Sequence, residues 1–175
     1  ARTRGLRCCG GVVAAVCRAV PGGRDHDLAE FLVDSAAGEA IVTSLVASQW
    51  GAPVLETTEV VDANQRVIQA EGGAPLFAWV RDEAGACVRV LLARRAFSAP
   101  SFGVNLFSVG AAQSDGCGST ELSVNRPALV TVDGTRVPLT KVNNTWSFWC
   151  EIEPWALSAR RDAGLDPGPG LRRRG

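Results

Sequence analysis

The apolar residues of this chain occur in many short runs separated by turn residues. Runs of about four to eight residues rich in valine, leucine and threonine are typical of β-strands. Turn residues recur between them, at positions 62–65, 82–85, 133–134 and 143–144. No stretch shows a long helical periodicity, so the pattern predicts an all-β barrel or sandwich.

The predicted strands follow one another along most of the chain. They are residues 28–35, 39–46, 54–61, 66–70, 76–81, 87–93, 120–124, 128–132, 136–139 and 145–152. A further apolar segment spans residues 104–112. Residues 71–75 contain two glycines between two of these strands, which predicts a hairpin connection there.

The overall composition limits the classes of function. Eighteen lysine and arginine residues balance eighteen aspartate and glutamate residues, so no net charge attracts nucleic acid or an anionic membrane. Charged residues make up 21% and hydrophobic residues 46% of the 175, as in ordinary globular domains with a core of their own. We therefore expect no direct nucleic-acid partner and no membrane partner.

The cysteines and the single histidine do not form a recognisable metal site. None of the six cysteines is spaced C-x-x-C, and His26 has no cysteine or second histidine nearby. The apolar stretch at residues 7–20 is interrupted by Arg18 and is too short to span a bilayer. These observations predict no metal, no cofactor, reduced and mostly buried thiols, and an intracellular, cytoplasmic chain.

Asp34 is the carboxylate most in need of an explanation. Asp34 follows the apolar residues 31–33 at the end of a predicted buried strand, and Ser35 comes directly after it. A buried, charged and unpaired carboxylate costs free energy. Asp34 therefore either caps the turn that follows, a common role for aspartate and serine, or takes part in chemistry.

Three motifs occur along the chain in a particular order. Residues 34–37 (DSAA) follow an apolar strand, a glycine-containing hairpin at residues 71–75 lies mid-chain, and residues 100–110 (PSFGVNLFSVG) follow the strand at residues 87–93. This order resembles the retropepsin-like aspartic protease of Copia-type retrotransposon polyproteins. That family carries a D-S-G-A catalytic loop, a flap hairpin, and a strand entering a P-x-x-x-x-N-L-x-S-V segment. The resemblance covers about residues 28–115.

The resemblance implies a retropepsin-like closed barrel that forms one subunit of a two-fold dimer. It also implies aspartic-type endopeptidase activity. The resemblance implies that Asp34 is the catalytic aspartate and that Ser35, Ala36 and Ala37 support the catalytic loop. It places the flap tip at Gly72 and Gly73. The structural segment beside the loop then contains Asn105, Leu106, Ser108 and Val109.

The chemistry of such a site requires a second aspartate. Two adjacent carboxylates share one proton because both cannot ionise in contact, and the pair activates a water for attack on a peptide carbonyl. The chain holds one D-[ST]-x-A loop, whereas Asp133-Gly134-Thr135 has similar letters in another order. A homodimer would present Asp34 twice about its two-fold axis. The implied substrate is a polypeptide, the chain's own polyprotein, in a cytoplasmic virus-like particle.

The expected organisation has four parts. Residues 1–26 are predicted to be a linker or upstream remnant, residues 27–115 the retropepsin-like domain, residues 116–153 strands that follow the protease in the polyprotein, and residues 154–175 a disordered tail.

One position departs from the family pattern and leaves alternatives open. Ala36 stands where the family has glycine, and a Cβ in a loop so close to the attacking water threatens the geometry. The alternative is therefore a catalytically dead, retroelement-derived domain that retains only the fold or a dimerisation role. A generic β-sandwich binding module is the third hypothesis, favoured if Asp34 points into solvent.

Overall fold

The computed structural model describes residues 28–164, which form a mostly β structure. Its strands are β1 Leu28–Asp34, β2 Ala40–Val42, β3 Glu56–Val61, β4 Val67–Arg81, β5 Cys87–Ser98, β6 Asn105–Ser108, β7 Gly118–Glu121, β8 Ala128–Thr131, β9 Arg136–Pro138, β10 Thr140–Val142 and β11 Thr145–Ile152. Its helices are α1 Ser44–Trp50, α2 Val109–Ser114 and α3 Trp155–Asp162. The all-β class predicted from the sequence is confirmed at this level.

Eight of the strands form one mixed sheet. Their order is β10-β11-β1-β6-β2-β5-β4-β3, and β7, β8 and β9 form a separate three-stranded sheet. The short strand β6 is inserted between β1 and β2, parallel to β1 and antiparallel to β2. This insertion brings the end of β1, where Asp34 lies, beside the end of β6.

Strand β11 belongs to the same sheet as β1. The two pair antiparallel with Phe31 opposite Phe148, whose rings stack with centroids 5.6 Å apart. The far end of β11 also pairs with β4, where Ile152 lies opposite Ala78. Residues 116–153 were predicted to follow the domain of residues 27–115, but strand β11 pairs with β1 and β4 and shares their core.

Residues 39–46, predicted to be extended, and the apolar segment 104–112 each change from strand to helix after a few residues. Thr43 caps α1 by accepting a hydrogen bond from the backbone N–H of Val46, so residues 39–46 divide into β2 and the start of a helix. Ser108 caps α2 in the same way through the N–H of Ala111. In both segments a hydroxyl side chain at the end of a short strand caps the helix that follows.

The prediction of a hairpin at residues 71–75 was wrong, and so was the placement of a flap tip there. Gly72 and Gly73 lie inside β4, which runs without a turn for 15 residues. The register of β4 against β5 shifts between Gly72 and Ala74, which marks a bulge. Gly73 has a φ of 88°, so glycine is used here to bend a strand. The hairpin turn instead lies at residues 62–66, between β3 and β4.

The predicted tail begins with a helix in the part that the structure describes. Helix α3 follows Glu153, a buried carboxylate 2.8 Å from Nε of Arg161 and paired also with Arg89. These ion pairs attach α3 to the sheet, which the proline- and arginine-rich sequence did not suggest. The predicted linker at residues 1–26 and the remainder of the predicted tail, residues 165–175, lie outside the described residues.

The buried side chains form a main core and a smaller cluster beside the Asp34 end of β1. The smaller cluster consists of Ile41, Ala70, Phe97 and Ala99, with Val60, Ile68, Phe102 and Leu106 packed against it. This cluster packs side chains of the β3–β4 hairpin against side chains of β2, β5 and β6.

The three cysteines in the described range are free thiols. Cys117 and Cys150 are buried and Cys87 is partly buried, and burial raises the pKa of all three thiols. Within residues 28–164, no helix has the length and apolar character needed to cross a membrane.

Candidate functional site

Asp34 closes the loop that it precedes. Its Oδ1 accepts hydrogen bonds from the backbone N–H groups of Ala36 at 2.8 Å and Ala37 at 3.2 Å. The side chain thus plays the capping role that the sequence allowed. Both bonds use the same oxygen, and Asp34 lines a cleft, so capping and chemistry are compatible at this residue.

Ser108 fixes the far side of that loop. Its hydroxyl donates a hydrogen bond of 2.6 Å to the carbonyl of Ala37 and accepts one of 3.0 Å from the N–H of Ala111. Ser108 is 1% exposed, so both bonds are shielded from water. The loop after Asp34 is thereby tied to the start of α2.

Asn105, at the other end of β6, also joins two backbone segments by hydrogen bonds. Its Nδ2 donates to the carbonyl of Glu30 at 2.9 Å, and its Oδ1 accepts from the N–H of Thr43 at 2.8 Å. Because Asn105 is 8% exposed, these bonds join β1 to the start of α1 in a mostly dry setting. Of the two residues assigned to a supporting segment by resemblance, Ser108 bonds to the Asp34 loop, whereas Asn105 bonds to Glu30 and Thr43.

A cleft of about 500 Å³ opens between the Asp34 loop and the β3–β4 hairpin. The loop contributes Asp34 and Ala36 to its lining, and the hairpin contributes Asp62 and Ala63. Ile41, Phe102 and Leu106 add apolar surface. The volume lies in the range of small-ligand and peptide-binding clefts.

The turn at residues 62–66 was predicted from the sequence, but its place in the lining of the cleft was not. Asp62 Oδ1 accepts from the N–H groups of Asn64 at 2.8 Å and Arg66 at 2.9 Å, and its Oδ2 accepts from Arg66 Nε at 2.7 Å. These hydrogen bonds, chiefly that from the Arg66 backbone, lower the pKa of Asp62. The turn chemistry was visible in the sequence, but its position over Asp34 was not.

Glu39 lies at the loop side of the cleft, 3.3 Å from Arg95 Nη2. Burial raises the pKa of the Glu39 carboxyl, and the charge of Arg95 acts in the opposite direction. Arg95 also lies 3.4 Å from Glu56, the first residue of β3. The arginine therefore links the loop side of the cleft to the hairpin.

Ala36 fits its loop without backbone strain. Among the described residues other than glycine, positive φ angles occur at Gln65, Asn143 and Asn144. Ala36 therefore does not occupy the left-handed region that would require glycine. Ala36 and Ser35 are exposed, and Ala36 is among the residues that line the cleft.

The remaining predicted residues divide between the site and the scaffold. Leu106 lines the cleft, whereas Val109 begins α2 and packs against the main core. Gly72 and Gly73 lie outside the cleft lining, within the bulge of β4. No group of three or more histidine, cysteine, aspartate or glutamate side chains within residues 28–164 is arranged to hold a metal ion.

Comparisons with known proteins found no match to this chain among protein-family models, curated proteins or solved structures. The interpretation of the site therefore rests on its geometry and on the sequence motifs.

Proposed function

We propose that the chain is one subunit of a retropepsin-like aspartic endopeptidase that cleaves its own polyprotein in a cytoplasmic, virus-like particle. The observation that carries the proposal is the position of Asp34. It ends a strand beside an inserted, parallel strand, in a loop fastened by Ser108, at the lining of a cleft bordered by a hairpin. A carboxylate held in this way is suited to act on an extended polypeptide lying in the cleft.

We also propose that six strands of the eight-stranded sheet form a closed barrel. The pairings run from β11 through β1, β6, β2, β5 and β4, and the pairing of β4 with β11 returns to the starting strand. The pairing of Ile152 with Ala78 supports closure because it joins parts of β11 and β4 that would otherwise be unpaired strand edges.

The mechanism requires two copies of Asp34 about a two-fold axis. In the dimer the two carboxylates would share one proton, because two adjacent negative charges repel each other. The ionised Asp34 would accept a proton from a water as that water attacks the peptide carbonyl, and the protonated Asp34 would donate to the carbonyl oxygen. Proton transfer to the leaving nitrogen would then release the two peptide products. The N–H groups of Ala36 and Ala37 would keep each carboxylate in its orientation.

The β3–β4 hairpin is the element that we propose as the flap. Its turn at residues 62–66 is fastened by Asp62, and its inner residues Val60 and Ile68 pack on the smaller cluster. The hairpin borders the cleft opposite Asp34 and would exclude water from a bound peptide.

The proposal is tested by incubating the chain with a peptide library at mildly acidic pH over a range of protein concentrations. We expect a rate per protein that rises with concentration as dimers form, and Asp34→Asn should lower it by about 1,000-fold or more. Asp82→Asn is the matched control, since Asp82 also accepts a backbone hydrogen bond in an exposed turn, from Ala86. Absence of cleavage at every concentration would contradict the endopeptidase proposal.

A non-catalytic dimerisation domain is the second candidate, and Ala36 is the observation that favours it. Ala36 lines the cleft and stands where the resembled family has glycine, so in an active dimer its Cβ would reduce the space near the attacking water. Ala36→Gly separates the two candidates. Similar cleavage by both proteins supports the active enzyme, whereas a dimer that cleaves only after the substitution supports a domain that has lost activity.

A further inference from the structure

A row of charged side chains crosses the sheet beside the cleft, over strands β2, β5, β4 and β3, which are neighbours in that order. Arg95, on β5, lies at the centre of the row. Its Nη2 is 3.3 Å from Glu39, directly before β2, and its Nη1 is 3.4 Å from Glu56, the first residue of β3. Because β4 lies between β5 and β3, the pair of Arg95 with Glu56 spans a whole strand.

Gly73 leaves the space in β4 through which Glu56 reaches Arg95. An added Cβ at Gly73 would lie 2.8 Å from Oε1 of Glu56 and closer still to its Cγ. The same Oε1 is the atom that lies near Arg95. The glycine therefore does more than permit the positive φ of the bulge, since its lack of a side chain lets Glu56 cross β4.

The two ends of the row belong to opposite walls of the cleft. Glu39 lines the cleft on the side of the Asp34 loop, and β3 lines it on the side of the hairpin, through Val60 and Val61 among others. Within residues 28–164, β3 is an edge strand that pairs with β4 alone. The ion pairs of Arg95 therefore attach this edge strand, across β4, to the opposite wall.

We propose that Arg95 is a positioning residue that holds β3 at the distance from the Asp34 loop at which the cleft accepts a polypeptide. The inference rests on the proposed endopeptidase function for its substrate, whereas the attachment of β3 does not depend on catalysis. Arg95 lies outside the cleft lining, so it acts on a bound peptide through Glu39 and β3 rather than by touching the peptide.

Hydrogen exchange of the full chain without substrate tests the attachment. Arg95→Gln removes the charge and should raise exchange of the β3 amides about threefold at low salt, as for partly exposed ion pairs. These amides run from Leu55, which donates to the Gly72 carbonyl, to Asp62, which donates to the Arg66 carbonyl. The difference should shrink at high salt, because salt screens exposed charges.

Glu56→Gln removes the same ion pair from its other side. The double variant should exchange no faster than Arg95→Gln alone, because both substitutions act through one contact. Arg126→Gln is the matched control, since Arg126 forms an exposed ion pair with Glu83 outside the cleft lining, and it should leave β3 exchange unchanged. Unchanged β3 exchange in Arg95→Gln, or an equal rise in β1 and β11, would overturn the inference.

Cleavage kinetics separate this inference from the proposed function. On peptides that the original chain cleaves, Arg95→Gln should raise KM about threefold and leave kcat unchanged, because Arg95 does not touch the reacting groups. A lower kcat with the same KM would overturn the positioning role and leave the endopeptidase proposal standing. Absence of cleavage by the original chain contradicts the endopeptidase proposal alone, because faster β3 exchange in Arg95→Gln still supports the attachment.

Discussion

The hydroxyl of Ser108 donates a 2.6 Å hydrogen bond to the carbonyl of Ala37, joining residues 71 positions apart. The same oxygen accepts from the N–H of Ala111 at the first turn of α2. One buried side chain therefore holds the Asp34 loop against the strand and helix that follow it much later in the chain.

Ser108→Ala should destabilise the fold by about 2 kcal/mol, because it leaves the Ala37 carbonyl and the Ala111 N–H unpaired. Urea unfolding would measure the change. Ser48→Ala is a suitable control, since Ser48 is exposed and bonds to the Leu45 carbonyl within α1; we expect a change below about 0.5 kcal/mol there. Equal effects of the two substitutions would contradict a fastening role for Ser108.

Gly72→Ala should destabilise the protein by about 1–3 kcal/mol through overpacking. An added Cβ would lie 2.9 Å from the Cα of Phe97 and closer still to the carbonyl oxygen of Ala96. Gly110→Ala is the counterpart, because nothing lies within 4 Å of its added Cβ and the residue sits in α2. That change should stabilise the protein by roughly 0.5–1 kcal/mol, since alanine favours helix. Thermal unfolding of both variants would show opposite shifts.

Asp62→Asn should lower stability in a way that depends on pH. Hydrogen bonds from Arg66 hold the folded-state pKa of Asp62 below its usual value, so Asp62 binds its proton more weakly in the folded than in the unfolded state. Its contribution is therefore present above the unfolded pKa and is lost as pH falls through the folded pKa. The variant and the original protein should differ near neutral pH and converge in acid. A difference that is constant with pH would show that the charge of Asp62 is not the cause.

Glu153→Gln should destabilise the protein by about 3 kcal/mol, because it leaves two arginine charges beside a buried neutral amide. The Glu153 side chain is 1% exposed and contacts Arg89 and Arg161. Hydrogen exchange should rise first in α3, which these pairs attach to the sheet. Glu121→Gln provides the comparison, because Glu121 pairs with Arg136 while half exposed, and such pairs contribute below about 1 kcal/mol.

The loop that carries Asp34 could be located from the sequence because its signals are local. The apolar run that ends at Asp34 became β1, and the Asp-Ser sequence became a loop capped by that carboxylate. The turns at residues 62–65, 82–85, 133–134 and 143–144 were also predicted correctly, since φ preferences and side-chain caps act within a few residues.

The glycines of β4 show where local signals become ambiguous. A positive φ suits a hairpin turn and a bulge equally, and the sequence around Gly73 does not distinguish them. The tertiary structure shows that β4 approaches β5 closely at Gly72, where an added Cβ would meet Ala96 and Phe97. The hairpin turn consequently lies at residues 62–66 rather than at residues 71–75.

The sequence by itself determined most strands, most turns and the loop that carries Asp34, because alternation and capping are properties of neighbouring residues. Tertiary structure alone decided that β6 lies between β1 and β2, that β11 pairs with both β1 and β4, and that α3 is anchored by Glu153. A strand's period-two pattern specifies which face is buried but not which strand is its partner. The cleft beside Asp34 exists only because those partners were chosen by packing between residues far apart in the chain.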